Sequence, residues 1–194
     1  MTTQLLWFAA RGAGIVSLLL FTVVLVLGIV TTMRWQAARW PRFLTAELHR
    51  NLALLSVAFL GVHIATAIFD PFTNLGLGAA LVPFASSYRP LWVGLGVISV
   101  DLGVAVLLTS LLRARIGLRA WRLVHWLAYA SWPLAIVHSI GSGTDALEPW
   151  MLAIDVLCIG AVALAIGWRV MAARGPNHAG LDAIAVGAPR GART

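Results

Sequence analysis

The chain has 194 residues, of which 60% are hydrophobic and only 11% are charged, and its mean hydropathy is +0.90. In soluble domains roughly a quarter of the residues are charged. This composition therefore excludes a soluble domain and predicts an all-α integral membrane bundle. All 14 basic residues are arginine, and with 7 acidic residues they give a net charge of +7. Nucleic-acid binding is not expected, because it needs a basic face on a soluble domain. The single cysteine, Cys158, excludes an internal disulfide and a Cys-rich metal site.

Five apolar segments approach or exceed the about 20 residues that a bilayer-spanning helix needs. They predict transmembrane helices over residues 5–33, 48–69, 91–112, 121–140 and 150–171. Pro90 stands where a first-turn proline would open the third helix. Residues 1–174 are therefore predicted to form one transmembrane domain. Residues 175–194, rich in Gly, Ala, Pro and Arg and without a helical face, are predicted to be a disordered tail.

Arginine is concentrated in the loops after the first and third helices and in the segment after the fifth, whereas the other two loops hold only Arg89. Short loops rich in basic residues stay in the cytoplasm. We therefore expect a multi-pass protein of the plasma membrane with its N-terminus outside, and its C-terminus and tail inside. The outer connection 70–89 contains an apolar stretch, 75–84, that is too short to span; it should lie on the outer surface or fold back as a lid.

Four of the five histidines fall on two predicted helices, with His49 and His63 on the second and His125 and His138 on the fourth. An imidazole in hydrocarbon is costly unless it is paired or liganded. Both helices run from inside to outside, and separations of 14 and 13 residues correspond to rises of about 21 and 20 Å. The four histidines are thus predicted to form two level pairs, an inner pair, His49 with His125, and an outer pair, His63 with His138.

Two imidazoles that face each other at one depth are what axial ligation of a haem iron requires. The pattern therefore predicts two b-type haems, with the inner pair and the outer pair as their iron ligands, in a haem-binding domain of residues 1–174. A zinc or copper site gathers its ligands within about 2 Å of one ion, which a separation near 20 Å forbids. Histidines that only pack are the alternative. Nearby glycines, Gly61, Gly94 and Gly96, would admit the flat porphyrin or serve helix packing equally well.

The direction of the side chains around each helix is a second test of this pairing. Fourteen residues at about 100° each bring His63 close to the face of His49. Thirteen residues leave His138 about 140° away from His125. Pro133 lies between them and removes a backbone hydrogen bond, so we expect a kink or local rewinding there.

Three stretches carry a resemblance to a known family: LVPFASSYRPLWVGLG at 81–96, TSLLRARIG at 109–117 and WRLVHWLAYASWPLAIVHSIGSGTD at 121–145. With the histidine spacings, they resemble the ferric reductase-like transmembrane domain, a superfamily that includes ferric reductases and NADPH oxidases, and in particular a short actinobacterial-type branch. The resemblance covers about residues 5–171 and implies the same four histidines as haem ligands.

The resemblance also implies partners. The oxidases carry an extra leading helix and a cytoplasmic flavin and nicotinamide module, neither of which has a counterpart here. We therefore expect a separate donor and acceptor, such as a flavin-bearing extracytoplasmic protein or a quinone, with membrane lipid around the bundle.

Charged and phenolic side chains near the two levels are candidate partners of the haem propionates. Arg11 matches an arginine near the outer haem of the oxidases; alternatively it forms an ion pair with Asp155 at equal depth. Arginine binds carboxylates well, which makes further candidates of Tyr88 and Arg89 outside and of Arg50 and Arg122 inside, although membrane topology explains the inner two equally well. The roles of Asp101 and of the 70–89 connection stay open.

Together these features predict a diheme b-type cytochrome that carries electrons from a cytoplasmic or membrane donor to an extracytoplasmic acceptor, an oxidoreductase-type subunit whose own catalytic activity stays open. A quinol-linked haem subunit of a reductase complex is the alternative. A non-redox assembly factor or transporter subunit is the alternative of another class.

Overall fold

The computed structural model describes residues 2–32 and 42–174, and the predicted tail 175–194 lies outside them. Within the described residues the chain is all-helical, as expected. Its helices are α1 (Thr2–Thr32), α2 (Arg42–Phe69), α3 (Gly76–Leu81), α4 (Pro90–Leu111), α5 (Arg113–Ile116), α6 (Leu118–His125), α7 (Ala128–Ser142) and α8 (Pro149–Ala173).

Four helices in the described ranges are long and apolar enough to cross a membrane: Gln4–Thr32, Phe43–Phe69, Pro90–Leu111 and Pro149–Ala173. They correspond to four of the five predicted segments, so the prediction of a multi-pass membrane protein is confirmed. Pro90 opens α4 as expected, and Pro149 opens α8 in the same way, because the first turn of a helix needs no N–H from its first residue. The second helix begins at Arg42, about six residues before the predicted start.

The predicted fourth span is divided into α6 and α7, so a count of five continuous spanning helices is not confirmed. At the break the backbone makes i to i+3 hydrogen bonds, from Leu127 N–H to the Val124 carbonyl (2.9 Å) and from Tyr129 N–H to the Trp126 carbonyl (3.0 Å). This is the tighter winding of a 3₁₀ helix. Pro133 follows within α7 and leaves the carbonyl four residues earlier without its usual N–H partner.

The helices associate in two antiparallel pairs, since α1 packs along α2 and α4 packs along α7. Each pair is joined by two buried serines that donate to each other's backbone carbonyl. Ser17 and Ser56 join α1 to α2, at 3.1 Å in both directions. Ser99 and Ser131 join α4 to α7, at 2.8 and 2.9 Å. Small hydroxyl residues let two backbones approach closely inside a membrane and satisfy their own polar atoms there.

The two pairs are held together through α1, α7 and α8. Their shared apolar core consists of Leu18, Leu25, Trp132, Ile136, Cys158 and Val162. One polar contact crosses it, because Trp132 Nε1 donates to Thr22 Oγ1 at 2.9 Å. A buried indole N–H needs such an acceptor, so this bond sets the orientation of α7 against α1. The packing leaves α2 and α7 facing each other with at most marginal contact between their backbones.

The connection between α2 and α4 folds onto the start of α4 and does not span. Its apolar stretch contains only the short helix α3. The ring of Phe84 lies so close to Gly94 that a Cβ there would clash with it. Gly94, which the sequence suggested as a place where a porphyrin could fit, is therefore in contact with an aromatic side chain of this connection.

We expect the substitution Ser131→Ala to lower the free energy of unfolding by about 1 kcal/mol, because it removes the bond from the Ser131 hydroxyl to the Ser99 carbonyl. The bond from the Ser99 hydroxyl to the Ser131 backbone carbonyl remains in this variant. The measurement is reversible unfolding in mixed detergent micelles. Ser87→Ala, at an exposed serine of the connection, is the matched control and should leave the unfolding midpoint unchanged. If Ser131→Ala unfolded at the same midpoint as the wild-type protein, this would contradict the stabilising role given to the paired serines.

Candidate functional site

The structure brings together both of the histidine pairs that the sequence predicted. The ring centroids of His49 and His125 lie 6.3 Å apart with the ring planes at 60°. Those of His63 and His138 also lie 6.3 Å apart, with the planes at 80°. The rings are too far apart to stack and too close to hold anything larger than one atom on the line between them. In both pairs one histidine comes from α2 and the other from the α6–α7 segment.

The separation of 6.3 Å has a simple chemical meaning. A ring nitrogen lies about 1.2 Å from its centroid, so a point midway between the rings would be about 2 Å from a nitrogen that points along the line between the centroids. That is the length of an imidazole–metal bond for a first-row transition metal. Both pairs therefore have the spacing of two imidazoles on opposite sides of one metal ion.

The described residues offer no third ligand at either pair. No group of three or more His, Cys, Asp or Glu side chains in the ranges 2–32 and 42–174 could hold a metal ion. A closed zinc site takes four protein ligands, so these pairs do not suit one. An ion at this position would need its remaining ligands from a group that the chain does not itself supply, arranged in the plane between the two rings.

Three of the four imidazoles are oriented by a backbone carbonyl of the neighbouring helix. Nδ1 of His49 lies 2.9 Å from a carbonyl of α1, Nδ1 of His63 lies 2.7 Å from another, and Nδ1 of His138 lies 2.9 Å from a carbonyl of α4. A carbonyl oxygen can only accept, so in each ring Nδ1 carries the hydrogen. The lone pair of the neutral ring then lies on Nε2, which is the form that binds a metal.

His125 is the exception among the four. Its Nδ1 is buried and has no hydrogen-bond partner in the described part of the chain. The ring instead lies against Trp121, with the centroids 4.9 Å apart and the planes at 33°. An aromatic neighbour holds the ring in place without determining which nitrogen carries the proton.

The break between α6 and α7 explains how both histidines of this segment can aim toward α2. Residues in 3₁₀ winding turn about 120° each instead of 100°. Roughly five such residues recover about 100° of the 140° by which an ideal helix would misdirect His138. The remaining 40° equals the offset between His49 and His63. The local rewinding that we expected at Pro133 lies instead directly after His125, before Pro133 is reached.

The three outer propionate candidates meet at the end of α7. Arg89 Nη1 donates to the carbonyls of Gly141 (2.6 Å) and Gly143 (3.1 Å), and the Tyr88 hydroxyl donates to the Ser142 carbonyl (3.2 Å). These are the last carbonyls of the helix, which lack N–H partners within it and attract cations. The guanidinium of Arg11 is within contact distance of the same turn, since a Cβ on Gly143 would lie 2.6 Å from its Nη2.

The suggested ion pair between Arg11 and Asp155 is wrong. Arg11 pairs with Asp145 in the loop before α8. The Asp155 side chain is buried in the bundle, and neither of its oxygens has a hydrogen-bond partner among the described residues. The loop aspartate can approach Arg11 because the end of α7 turns back over α1, a contact that depth along two separate helices does not reveal.

The remaining candidates lie apart from the outer cluster. Arg50 pairs with Glu47 one helical turn away at 2.5 Å, and both side chains are largely exposed. Arg122 is exposed on α6, three residues before His125. Asp101 is exposed on α4, and the α7-facing Ser99 lies about 200° away around the helix.

Two glycines that the sequence analysis missed contact the histidines. A Cβ on Gly14 would lie 2.8 Å from His63 Nδ1, and one on Gly28 would lie 3.4 Å from His49 Cε1. Gly96, which was singled out, lies against His138, whereas Gly61 has open space around it. The signal was present in the sequence, because Gly14 and Gly28 are 14 residues apart on α1, as His49 and His63 are on α2.

We expect Arg89→Ala to loosen the junction between the 70–89 connection and the end of α7, because two hydrogen bonds to unpaired carbonyls are lost. Hydrogen–deuterium exchange of the peptides that cover 82–92 and 139–145 should accelerate several-fold. Arg50→Ala removes an exposed ion pair of little energetic weight and should leave those peptides unchanged. Equal exchange of these peptides in Arg89→Ala and Arg50→Ala would refute the proposal that Arg89 stabilises the end of α7.

A family model described as ferric reductase like transmembrane component matches residues 13–136, well over half of the chain. The matched region contains His49, His63 and His125 and ends two residues before His138. Searches of curated proteins and of solved structures found no significant match. The resemblance in the sequence is thereby confirmed, and the chain belongs to the family of ferric reductase-like transmembrane components.

Proposed function

We propose that the chain is a diheme b-type cytochrome that carries electrons across the membrane. Membership of the ferric reductase-like family supports a transmembrane electron-transfer role. The observation that carries the two-haem assignment is the pair of opposed imidazole couples, each with 6.3 Å between ring centroids.

A haem suits the residues that are present. Each site offers two opposed histidines and no third side chain among the described residues, which would suit a haem whose macrocycle supplies the other ligands of the iron. The separation of the α2 and α7 backbones leaves the imidazoles to bridge the interval between them. When bound, the haem supplies the one-electron chemistry, while the chain binds it, orients its ligands and excludes water.

The predicted topology fits this assignment if α6 and α7 together cross the membrane as one interrupted fifth span. They cover residues 118–142, about 37 Å if fully helical, which is enough for a hydrocarbon core of about 30 Å. An interruption is tolerated at membrane depth where it is covered by protein. With five crossings, the arginine distribution would favour an N-terminus outside and a C-terminus in the cytoplasm. Retention in the plasma membrane belongs to the same proposal.

Arginines near each level would bind the propionates of the outer and inner haems. Arg11, Tyr88 and Arg89 converge at the end of α7, beyond His138. Arg50 and Arg122 lie within three residues of His49 and His125. Guanidinium groups suit carboxylates because both are planar and charged.

Electrons would pass from the inner site to the outer site and on to a separate acceptor. If the two histidines of each site both bind the haem iron, the chain would offer no open coordination position to a substrate. Donor and acceptor would therefore exchange electrons at the protein surface. A flavin-bearing extracytoplasmic protein or a quinone is the partner that we propose.

The test of the two-haem assignment is substitution of one histidine at a time. We expect wild-type protein to contain two haems per chain by pyridine haemochrome assay, and His63→Ala and His125→Ala to contain one each. His178→Ala, at the histidine outside the four, is the matched control and should keep two. Loss of no haem in either variant would refute the pairing, and a colourless wild-type protein would favour a non-redox membrane subunit.

A further inference from the structure

Three of the four histidines are held by the same device on the helix beside them. Each Nδ1–H is directed at a backbone carbonyl, and a glycine stands four residues after that carbonyl. The carbonyl and glycine combinations are Val24 with Gly28 for His49, Ala10 with Gly14 for His63, and Trp92 with Gly96 for His138. Three occurrences with one spacing indicate a common geometric cause.

The cause lies in the α-helix itself. The carbonyl of residue i accepts the N–H of residue i+4, and the Cβ of residue i+4 points back toward that carbonyl. A carbonyl has a second lone pair, but a side chain at i+4 stands in the way of an imidazole that approaches it. A Cβ on Gly14 would lie 2.8 Å from His63 Nδ1, and one on Gly96 would lie closer still to His138 Nδ1. Glycine therefore leaves the second lone pair accessible to the ligand.

The device recurs because the chain contains two copies of one helix pair. Gly14 and Gly96 are 82 positions apart, and so are the interface serines Ser17 and Ser99 of α1 and α4. On the partner helices, Ser56 and Ser131 are 75 positions apart, and so are His63 and His138. The reciprocal serine bonds occupy equivalent places in the two pairs. The α1–α2 pair and the α4–α7 pair are thus structural repeats that run in the same direction.

The repeat explains why the fourth histidine has no acceptor. At the offset of 82, Val24 and Gly28 of α1 correspond to Val106 and Ser110 of α4. The Ser110 hydroxyl donates to the Val106 carbonyl at 2.6 Å and accepts Trp121 Nε1–H at 3.2 Å. The carbonyl equivalent to the acceptor of His49 is therefore occupied by a serine. Consistently, His125 Nδ1 has no partner in the described chain.

We propose that Gly14, Gly28 and Gly96 are positioning residues that keep three ligand imidazoles donating from Nδ1 to a carbonyl, and that Ser110 withholds this bond from His125. The inference rests on the proposed haem function. Such a bond fixes the tautomer and raises the basicity of the ligand. A more basic axial ligand stabilises the oxidised metal, so the supported histidines lower the midpoint potential of their haem. His125 is then the least basic iron ligand of the four histidines, and the two ligands of the inner site differ in basicity.

The first experiment compares Gly14→Ala and Gly96→Ala with Gly12→Ala, at a glycine of α1 with open space around its Cβ position. We expect Gly14→Ala and Gly96→Ala to retain the outer haem at least tenfold more weakly. Where the outer haem remains, its midpoint potential should rise and its low-spin electron paramagnetic resonance signal should shift, while the inner haem is unchanged. Gly28→Ala should have a smaller effect on the inner haem, since 3.4 Å is an ordinary contact distance.

The second experiment tests the asymmetry with Ser110→Gly, which removes both the serine hydroxyl and the Cβ that stand between the Val106 carbonyl and an imidazole. We expect the inner haem alone to respond, with a lower midpoint potential and a shifted resonance signal. Thr109→Gly is the control, because the Thr109 hydroxyl makes its shorter hydrogen bond to Ala105 (2.7 Å) and only a longer one to Val106 (3.2 Å). An inner haem with unchanged potential and signal in Ser110→Gly would overturn the role given to Ser110.

The outcomes separate this inference from the proposed function. Wild-type protein without haem would refute the proposed function. Wild-type protein with two haems, but with Gly14→Ala identical to Gly12→Ala in haem retention, potential and resonance signal, would refute the glycine device alone. If Gly96→Ala does not accumulate as folded protein, Gly14→Ala and Ser110→Gly still decide the question.

Discussion

The structure depends on how four imidazoles are accommodated inside an apolar bundle. At three of them, Nδ1–H is bonded to a carbonyl of the neighbouring helix. These bonds join α2 to α1 and α7 to α4, so the same side chains that define the site also help to assemble the helix pairs. The two rings of each pair lie 6.3 Å apart between centroids across the bundle. An imidazole without a partner in hydrocarbon is costly. This arrangement therefore gives the histidines a role in helix packing as well as in the candidate site.

The two helix pairs position their histidines in the same way, although the spacing between histidine and interface serine differs by one residue. On α2, seven residues separate His49 from the interface serine Ser56, whereas on the α6–α7 segment six separate His125 from Ser131. The 3₁₀ turn after His125 compensates, since it rises about 2.0 Å and turns about 120° per residue. The shorter segment thereby reaches the same depth and nearly the same direction. The break in the predicted fourth helix is thus part of the site geometry.

The arginines near the outer pair already have protein partners. Arg89 completes the end of α7 and Arg11 pairs with Asp145. A guanidinium has five N–H donors, so neither contact uses all of them, and both groups can serve a further anion while they hold the loops in place. Burial of an arginine without a partner would be costly, which explains why the loop aspartate lies over the end of α1.

The sequence by itself determined the helical membrane class, four of the spanning segments and the level pairing of the histidines. These follow from local properties, namely the length of apolar runs and the constant rise of a helix. It also pointed to rewinding between His125 and His138, because thirteen residues cannot aim two side chains the same way on an ideal helix. Only the tertiary structure decided that α6 and α7 are separate helices, that Arg11 selects Asp145, and that Gly14 and Gly28 lie against the imidazoles. Each of these depends on which surfaces of distant segments come into contact, and the periodicity of one helix carries no information about the face that its neighbour presents.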